Sequence, residues 1–360
     1  MKILYAIQGT GNGHVARARE IVPILQKHHD VDVLLSGIQA EVELPFEVKF
    51  RYNGLSFIFG KNGGIDLFET YKRSHVRKLF NEINQLPIQD YDLVLNDFEP
   101  VSAWACYQKY KACIGLSHQA AVLNKKAPLP LKNDLLGRAI LKNYAPVKIK
   151  YGFHFKSYDD NIFTPVIRKQ VRELPNTNNG HFTVYLPAYS DEKIIKVLKE
   201  CKNVKWQVFS KHNKIKISSK NIEISPINND DFLASMASSA GVLCGAGFET
   251  PAETLFLQKK LLVVPMKGQY EQQCNAAALM EMGVPVIKSL KKKHVGTINE
   301  WIESDARVEV DYPDETEAIL LTILDKFSRE LIPQPFKVGK KLYTEKKLRK
   351  ETLKKIVSNL

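Results

Sequence analysis

The run Gly245-Ala-Gly-Phe-Glu-Thr-Pro-Ala-Glu253 sets two glycines, a hydroxyl and two carboxylates between an apolar stretch, Gly241–Cys244, and a segment of helical spacing that begins at Thr250. Glycines let a backbone come close to a ligand, and a helix N-terminus offers free N–H groups and a partial positive charge. Together they can cradle a diphosphate, with the Thr250 hydroxyl beside it. Pro251 suits the start of a helix, where its missing N–H would have no partner anyway. Glu253, one turn into the helix, lies where a carboxylate could accept from the hydroxyls of a ribose. Downstream, Val263-Val-Pro265 closes another apolar run and Glu271-Gln-Gln-Cys-Asn-Ala276 follows. Glu271 and Gln272 are expected in the loop before a helix over Cys274–Met282, where they could read a sugar's hydroxyls. Taken alone, Gly245 and Gly247 read equally well as a tight strand-to-helix turn, with Glu253 on a solvated face.

A second group lies near the N-terminus. The loop Gly9-Thr-Gly-Asn-Gly-His14 fails as a dinucleotide fingerprint, because His14 stands where GxGxxG needs glycine, and it lacks the lysine of a P-loop. His14 opens a helix, and a neutral imidazole there could take the proton from a hydroxyl. It could equally cap the helix or hydrogen-bond a phosphate. Asp97 and Glu99, in Leu95-Asn-Asp-Phe-Glu-Pro100, follow a buried strand at its C-terminal end. Parallel sheets bind ligands at that end. Either carboxylate could orient His14 or act as the base itself; alternatively, Asp97 caps the helix Val101–Lys109. His118, after the next strand, is a further candidate on the same side.

The elements that would position these residues repeat twice. Lys2–Ile7 is a continuous apolar run, as expected of a strand buried on both faces. A helix to Gln26 and a strand over Val31–Leu35 complete a strand–helix–strand unit. Strands over Asp92–Leu95 and Ala112–Leu116 continue the series. The pattern restarts with strands at Phe182–Leu186, Trp206–Phe209, Ile222–Ile224, Gly241–Cys244 and Leu261–Val264, with helices between. Asn161–Gly180, with Pro165, Pro175 and a polar run, has the composition of a linker. The reading is an α/β protein with two Rossmann-like, doubly wound domains facing a cleft. The expected domains are residues 1–162 and 163–335, followed by a basic helix over 336–360.

Composition narrows the function classes. Length, 44% hydrophobic and 25% charged residues describe a globular chain with room for two cores. No apolar run reaches the ~18–20 residues of a membrane span. Five scattered cysteines without a CxxC pair argue against a disulfide scaffold or zinc site and fit a cytoplasmic protein. Asp30-Val-Asp32 is the only Asp-x-Asp and runs into a strand. No metal site is expected, and no cofactor. The net charge of +13 is concentrated in residues 124–156 and 337–360, each at +7. Leu136, Ile140 and Tyr144 recur at helical spacing among the first group of lysines. A basic amphipathic stretch of this kind could lie on an anionic membrane surface, placing the protein peripherally at the inner face. No nucleic-acid module accompanies the charge.

In the order Gly247, Thr250, Glu253, Pro265, Glu271, Gln272, Asn275 and Ala276, the second half resembles the GT-B glycosyltransferases related to the bacterial GlcNAc transferase that makes lipid II, and UDP-sugar transferases more widely. The first loop resembles the Gly-Thr-Gly-Gly-His loop of that enzyme, with Asn12 replacing one glycine. The resemblance implies donor binding by Gly245, Gly247, Thr250, Glu253, Glu271 and Gln272. It implies an acceptor-side loop at Gly11, Asn12 and Gly13, joined by His118. It also implies metal-independent, inverting transfer from a UDP-sugar to a hydroxyl acceptor, which could be lipid-linked, with Ile224-Ser-Pro-Ile227 as a uracil contact. Two other readings share the architecture: a nucleotide-sugar 2-epimerase, and a non-catalytic subunit that binds a nucleotide-sugar or a lipid.

Overall fold

The structure is a computed structural model that describes all residues except 11, 38–43, 56–58, 61–63, 66–75, 131–133, 202 and 331–360. Gly11 of the first loop and the expected helix over 336–360 therefore lie outside the described residues.

The first half folds around a seven-stranded sheet in the order β3-β2-β1-β6-β7-β8-β9. Its strands are β1 (Lys2–Gln8), β2 (Asp30–Ser36), β3 (Phe50–Tyr52), β6 (Leu93–Asp97), β7 (Cys113–Leu116), β8 (Ile149–Phe153) and β9 (Ile162–Phe163). The short pair β4 (Phe59–Gly60) and β5 (Gly64–Ile65) stands apart from it. All neighbouring pairs in the large sheet are parallel. Alternation along β1 divides its side chains between two covered faces, as a strand buried on both sides requires. Ile3, Tyr5 and Ile7 meet Val15, Ala18, Ile21 and Val22 of α1 (Asn12–Gln26). Leu4 and Ala6 face the opposite core, which holds Leu79 and Ile83 of α2 (Val76–Gln85) and Trp104 of α3 (Pro100–Lys109). The short helix α4 (His118–Val122) follows β7, and α5 (Leu135–Tyr144) precedes β8.

After α6 (Lys169–Arg172) the second half builds a six-stranded sheet in the order β12-β13-β11-β10-β14-β15. Its members are β10 (His181–Tyr185), β11 (Lys205–Ser210), β12 (Ile217–Ser219), β13 (Ile222–Pro226), β14 (Gly241–Gly245) and β15 (Lys260–Val264). Only the edge strand β12 is antiparallel. Helices α7 (Asp191–Leu198), α8 (Asn229–Ser238), α9 (Glu249–Phe256), α10 (Tyr270–Glu281) and α11 (Val295–Glu303) cover it. The last described helix, α12 (Thr316–Glu330), falls within the range expected for the second domain but packs on α1 of the first. One apolar cluster runs from Ile3 and Tyr5 through Phe153, Phe155 and Phe248 to Leu255 and Leu279, so the two halves share buried surface.

Strand order decides where ligands can enter. In the first sheet the order reverses between β1 and β6, and in the second between β10 and β14. The crevice at such a switch point, beyond the carboxyl ends of the strands, is where open α/β sheets bind ligands. The loop after β1 leads to His14, β6 ends at Asp97, and β14 ends at Gly245.

Three expectations change at this level. Glu271 and Gln272 are in the first turn of α10, not in a loop before it, because the helix begins at Tyr270. Of the run Ile224–Ile227, Ile224 to Pro226 belong to β13 and not to a loop, and Ile224 is fully buried, which leaves the partly buried Ser225, Pro226 and Ile227 at the strand's carboxyl end. The stripe on α5 is split: Leu136 is 54% exposed, as is its neighbour Leu135 at 71%, whereas Tyr144 is buried and bonded to Gln8 and to the Leu55 carbonyl.

Candidate active site

His14 occupies the third residue of α1 and points across the sheet end to Asp97. Its Nδ1 is 2.8 Å from Asp97 Oδ1, and its Nε2 is 3.2 Å from Gln119 Nε2. The Gln119 amide nitrogen also donates to Glu271 Oε2 at 2.9 Å, which fixes the amide's orientation, since its oxygen would repel that carboxylate. With Gln119 donating, the His14 Nε2 carries the lone pair and Nδ1 the proton, with which it hydrogen-bonds Asp97; Arg17 Nη2 also lies 3.0 Å from Nδ1, but its two hydrogens have shorter contacts to the Asp97 oxygens. The side chain keeps 12% of its surface open to solvent. A buried carboxylate holding Nδ1–H, with Nε2 bare, is the arrangement of a general base.

Asp97 itself is completely buried. Burial pushes its pKa up, but the charge of Arg17 and then the neighbouring His14 outweigh that and hold it below the usual carboxylate range. Arg17, one turn after His14, reaches Asp97 with Nε at 3.1 Å and Nη2 at 2.7 Å, and Glu249 of the second half with Nη1 at 2.5 Å. A guanidinium fork can serve two carboxylates in this way. Removing one member of such a buried set leaves an uncompensated charge, typically costing about 3–5 kcal/mol.

Glu99 has a different role from the one the sequence suggested. It caps α3, accepting from Val101 N at 2.7 Å and Ser102 N at 2.6 Å, while Ser36 Oγ donates to it at 2.6 Å. It is fully buried, and burial raises its pKa against the lowering effect of those hydrogen bonds. Its oxygens serve the chain's own donors, so Glu99 is a cap and Asp97 is the carboxylate beside His14. Phe98, between them, takes a left-handed φ of 56° that turns the chain between the two roles.

His118 is likewise corrected. It is 1% exposed, with Nδ1 2.8 Å from the Phe153 carbonyl and Nε2 2.7 Å from Asn275 Oδ1, and its ring stacks on Phe248 at 3.9 Å. Burial lowers its pKa. The residue ties the end of the first sheet to the second half and does not line an open acceptor surface. Asn12 and Gly13 open α1 and are half-buried; Gly13 faces Glu249, whose Cγ would lie 3.1 Å from an added Cβ.

Across the cleft, Gly245 ends β14 and Gly247 lies in the turn before α9. Neither has a positive φ. An added Cβ at Gly247 would meet nothing within 4 Å, and at Gly245 only Gln272 Oε1 at 3.7 Å and Val264 O at 4.0 Å. Neither backbone conformation nor packing within the chain demands glycine here, which counts against the tight-turn reading and favours close approach of a ligand. The first turn of α9 has no side-chain cap on Phe248, and Thr250 is its second residue. Gln272 Oε1 accepts from Met266 N at 2.8 Å beside the glycines. Glu253 departs from expectation: both its oxygens are held by Arg168, at 2.5 and 2.7 Å, and its side chain is 3% exposed. A ribose would have to displace that guanidinium. Among the described residues, no group of three His, Cys, Asp or Glu side chains is placed to hold a metal ion.

Arg17, Gln119, Arg168 and Glu249 were missed. Arg17 lies one helical turn from His14 and so on the same face, a signal readable from spacing. Glu249 is written in the glycine-rich run itself. Gln119 and Arg168 become site residues only through tertiary contacts.

Two Rossmann-like domains with their switch points turned toward one cleft define the GT-B fold. The glycosyl transferase family 1 model matches residues 1–302, and the chain belongs to that family and is a glycosyltransferase. Solved structures agree on the fold. CalG4, the calicheamicin glycosyltransferase, is 13% identical with a TM-score of 0.56, covering 92% of this chain and 99% of its own. MurG of Acinetobacter baumannii is 12% identical at a TM-score of 0.53, covering 91% and 100%. A UDP-N-acetylglucosamine 2-epimerase of Listeria monocytogenes is 11% identical at 0.55, covering 91% and 97%. No curated protein sequence matches the chain.

Proposed function

We propose that the protein transfers a sugar from a UDP-sugar to a hydroxyl acceptor with inversion and without a metal ion, with His14 as the base. The observation that carries this reading is the Asp97–His14 pair, whose unprotonated Nε2 accepts from Gln119, the amide that also donates to Glu271 of the second domain. His14 Nε2 takes the acceptor proton, the acceptor oxygen attacks the anomeric carbon, and the nucleotide diphosphate leaves on the opposite face. Asp97 stabilises the imidazolium as it forms. The uncapped first turn of α9, with Thr250, receives the diphosphate, and Gly245 and Gly247 let it approach. Glu271 and Gln272 line the sugar's side. The preference for uridine rests on the sequence resemblance. A 2-epimerase shares the fold, but a base in the first domain paired with a carboxylate favours proton removal from an incoming hydroxyl.

Calorimetry with UDP, GDP, ADP and TDP, followed by NMR of the anomeric product from the matching nucleotide-sugar, tests this. UDP should bind best, and an α-linked donor should give a β-linked product. Retention of configuration, or release of the epimerised donor without transfer, would discard the mechanism.

The proposal includes a cytoplasmic protein that rests peripherally on an anionic membrane. No described helix is long and apolar enough to cross one. Support comes from exposed Leu129, Leu135 and Leu136 beside Lys125, Lys126, Arg138 and Lys142. Sedimentation with vesicles containing phosphatidylglycerol should carry the protein down, and Leu135→Glu with Leu136→Glu should release it. Equal sedimentation of the two proteins would remove this surface from the proposal.

A further inference from the structure

Arg17 is an uncommon buried cation in that one of its edges faces the opposite domain. Its Nε and Nη2 are committed to Asp97, and this pair lies within the first domain. Its Nη1 is directed at the cleft and is covered by the Glu249 carboxylate. The Arg17 side chain is 1% exposed and that of Glu249 17%, so Glu249 is the lid over the guanidinium. Glu249 is also the first residue of α9, beside the uncapped turn to which the donor's diphosphate is assigned. One carboxylate therefore sits between a fixed guanidinium and a helix N-terminus, where both attract an anion.

We propose that Glu249 holds the place of the donor's diphosphate on Arg17, and that the arriving diphosphate displaces it and takes over the Nη1 edge. This rests on the nucleotide-sugar reading above and adds a cation to it from the first domain. In the empty protein Glu249 occupies the Nη1 edge that Asp97 leaves open and joins the two halves. When the diphosphate enters, a charged Glu249 beside it is repelled, so it leaves the guanidinium and takes up a proton.

The surroundings make that proton available near neutrality. Burial first, and then Glu253 on the same helix and Asp97 at the end of β6, push the Glu249 carboxyl up to about 7, against the lowering effects of Arg17 and His14 from α1. Arg168, from the chain between β9 and α6, also lies within its field, as does the Tyr5 hydroxyl of β1. The sign follows from these neighbours. Below about pH 7 Glu249 is already neutral and is easily displaced. Above it, each pH unit adds up to about a tenfold cost for the proton that must be taken up.

Calorimetric titration of the full chain with UDP at pH 7 and pH 9, for wild type and Glu249→Gln, tests the proposal. The terminal phosphate of UDP finishes ionising near pH 7 and uracil N3 begins to ionise toward pH 9, so the wild-type slope is read against that of Glu249→Gln, which shares the ligand's own ionisation. Wild-type affinity should fall about tenfold or more from pH 7 to pH 9. Glu249→Gln should bind UDP about fivefold or more tightly than wild type at pH 9 and lose most of the slope. If Glu249→Gln binds UDP more weakly, or keeps the wild-type slope, Glu249 is a strut between domains and the proposal is overturned. If neither protein binds UDP, the nucleotide-sugar reading itself falls, and this inference with it.

Discussion

A His14→Ala enzyme is expected to keep the donor and lose the transfer, with kcat down by about 10²–10⁴-fold, the range for removing a positioned general base. That corresponds to roughly 3–5 kcal/mol of barrier. The effect should fall on kcat because His14, as the proposed base, would meet the acceptor oxygen as its proton leaves. The donor's phosphates are instead assigned to the first turn of α9 and to Arg17, whose Nη1 points to Glu249 and not to His14. UDP affinity should therefore stay within about threefold of wild type, a margin well under 1 kcal/mol. Folding should also persist. Alanine leaves Asp97 with two Arg17 nitrogens still bonded to it, so no buried carboxylate is abandoned. Asp97→Asn is a harsher change, since an amide can donate to Nδ1 and turn the ring to the wrong tautomer while Arg17 loses its counter-charge. Steady-state rates with saturating donor, beside UDP calorimetry, decide the matter. A His14→Ala rate within tenfold of wild type would assign the base elsewhere.

Gly247→Leu is the second large effect, and it separates binding from stability. An added Cβ meets open space and φ is not positive, so the fold should lose no more than about 0.5 kcal/mol, as at an unconstrained surface position. The same side chain would fill the space in front of the first turn of α9, and UDP affinity should fall at least about a hundredfold, a loss of some 2.7 kcal/mol. Chemical denaturation and calorimetry on the same sample measure both numbers. Normal UDP binding by Gly247→Leu would remove the glycine-rich turn from the donor site. A strongly destabilised variant would restore the tight-turn explanation of the glycine.

The fold was largely legible because buried parallel strands leave an unmistakable trace. Lys2–Ile7, Gly241–Cys244 and Leu261–Val264 are apolar runs too short for core helices, and each is a strand in the structure. Strand β8 was missed because Lys148 precedes it and Lys150 lies within it, in a stretch whose charge drew attention instead. The candidate site was readable where one local segment brings its residues together, as in the glycine run before α9 and around His14 at the start of α1. It was misread where two carboxylates lay close in sequence. Asp97 and Glu99 are separated by a single residue, and only the left-handed turn at Phe98 determines which becomes the cap. Glu253 failed for the opposite reason: its partner, Arg168, is 85 residues away and no local pattern links them.

The return of α12 to α1 means that the chain crosses between the two sheets twice, once after β9 and once before Thr316. Those crossings lie side by side, since Arg172 donates to the Tyr312 carbonyl at 2.9 Å and the Tyr312 hydroxyl donates to the Phe155 carbonyl at 3.0 Å. A lobe held by one strand of chain can swing in any direction. A lobe held by two adjacent, mutually bonded strands pivots like a door, about the line of its hinge pin. With α12 packed against the helix that carries His14 and Arg17, the frame side of this door includes the proposed base. Any relative movement of the lobes would then return the glycine-rich turn to the same side chains along one arc.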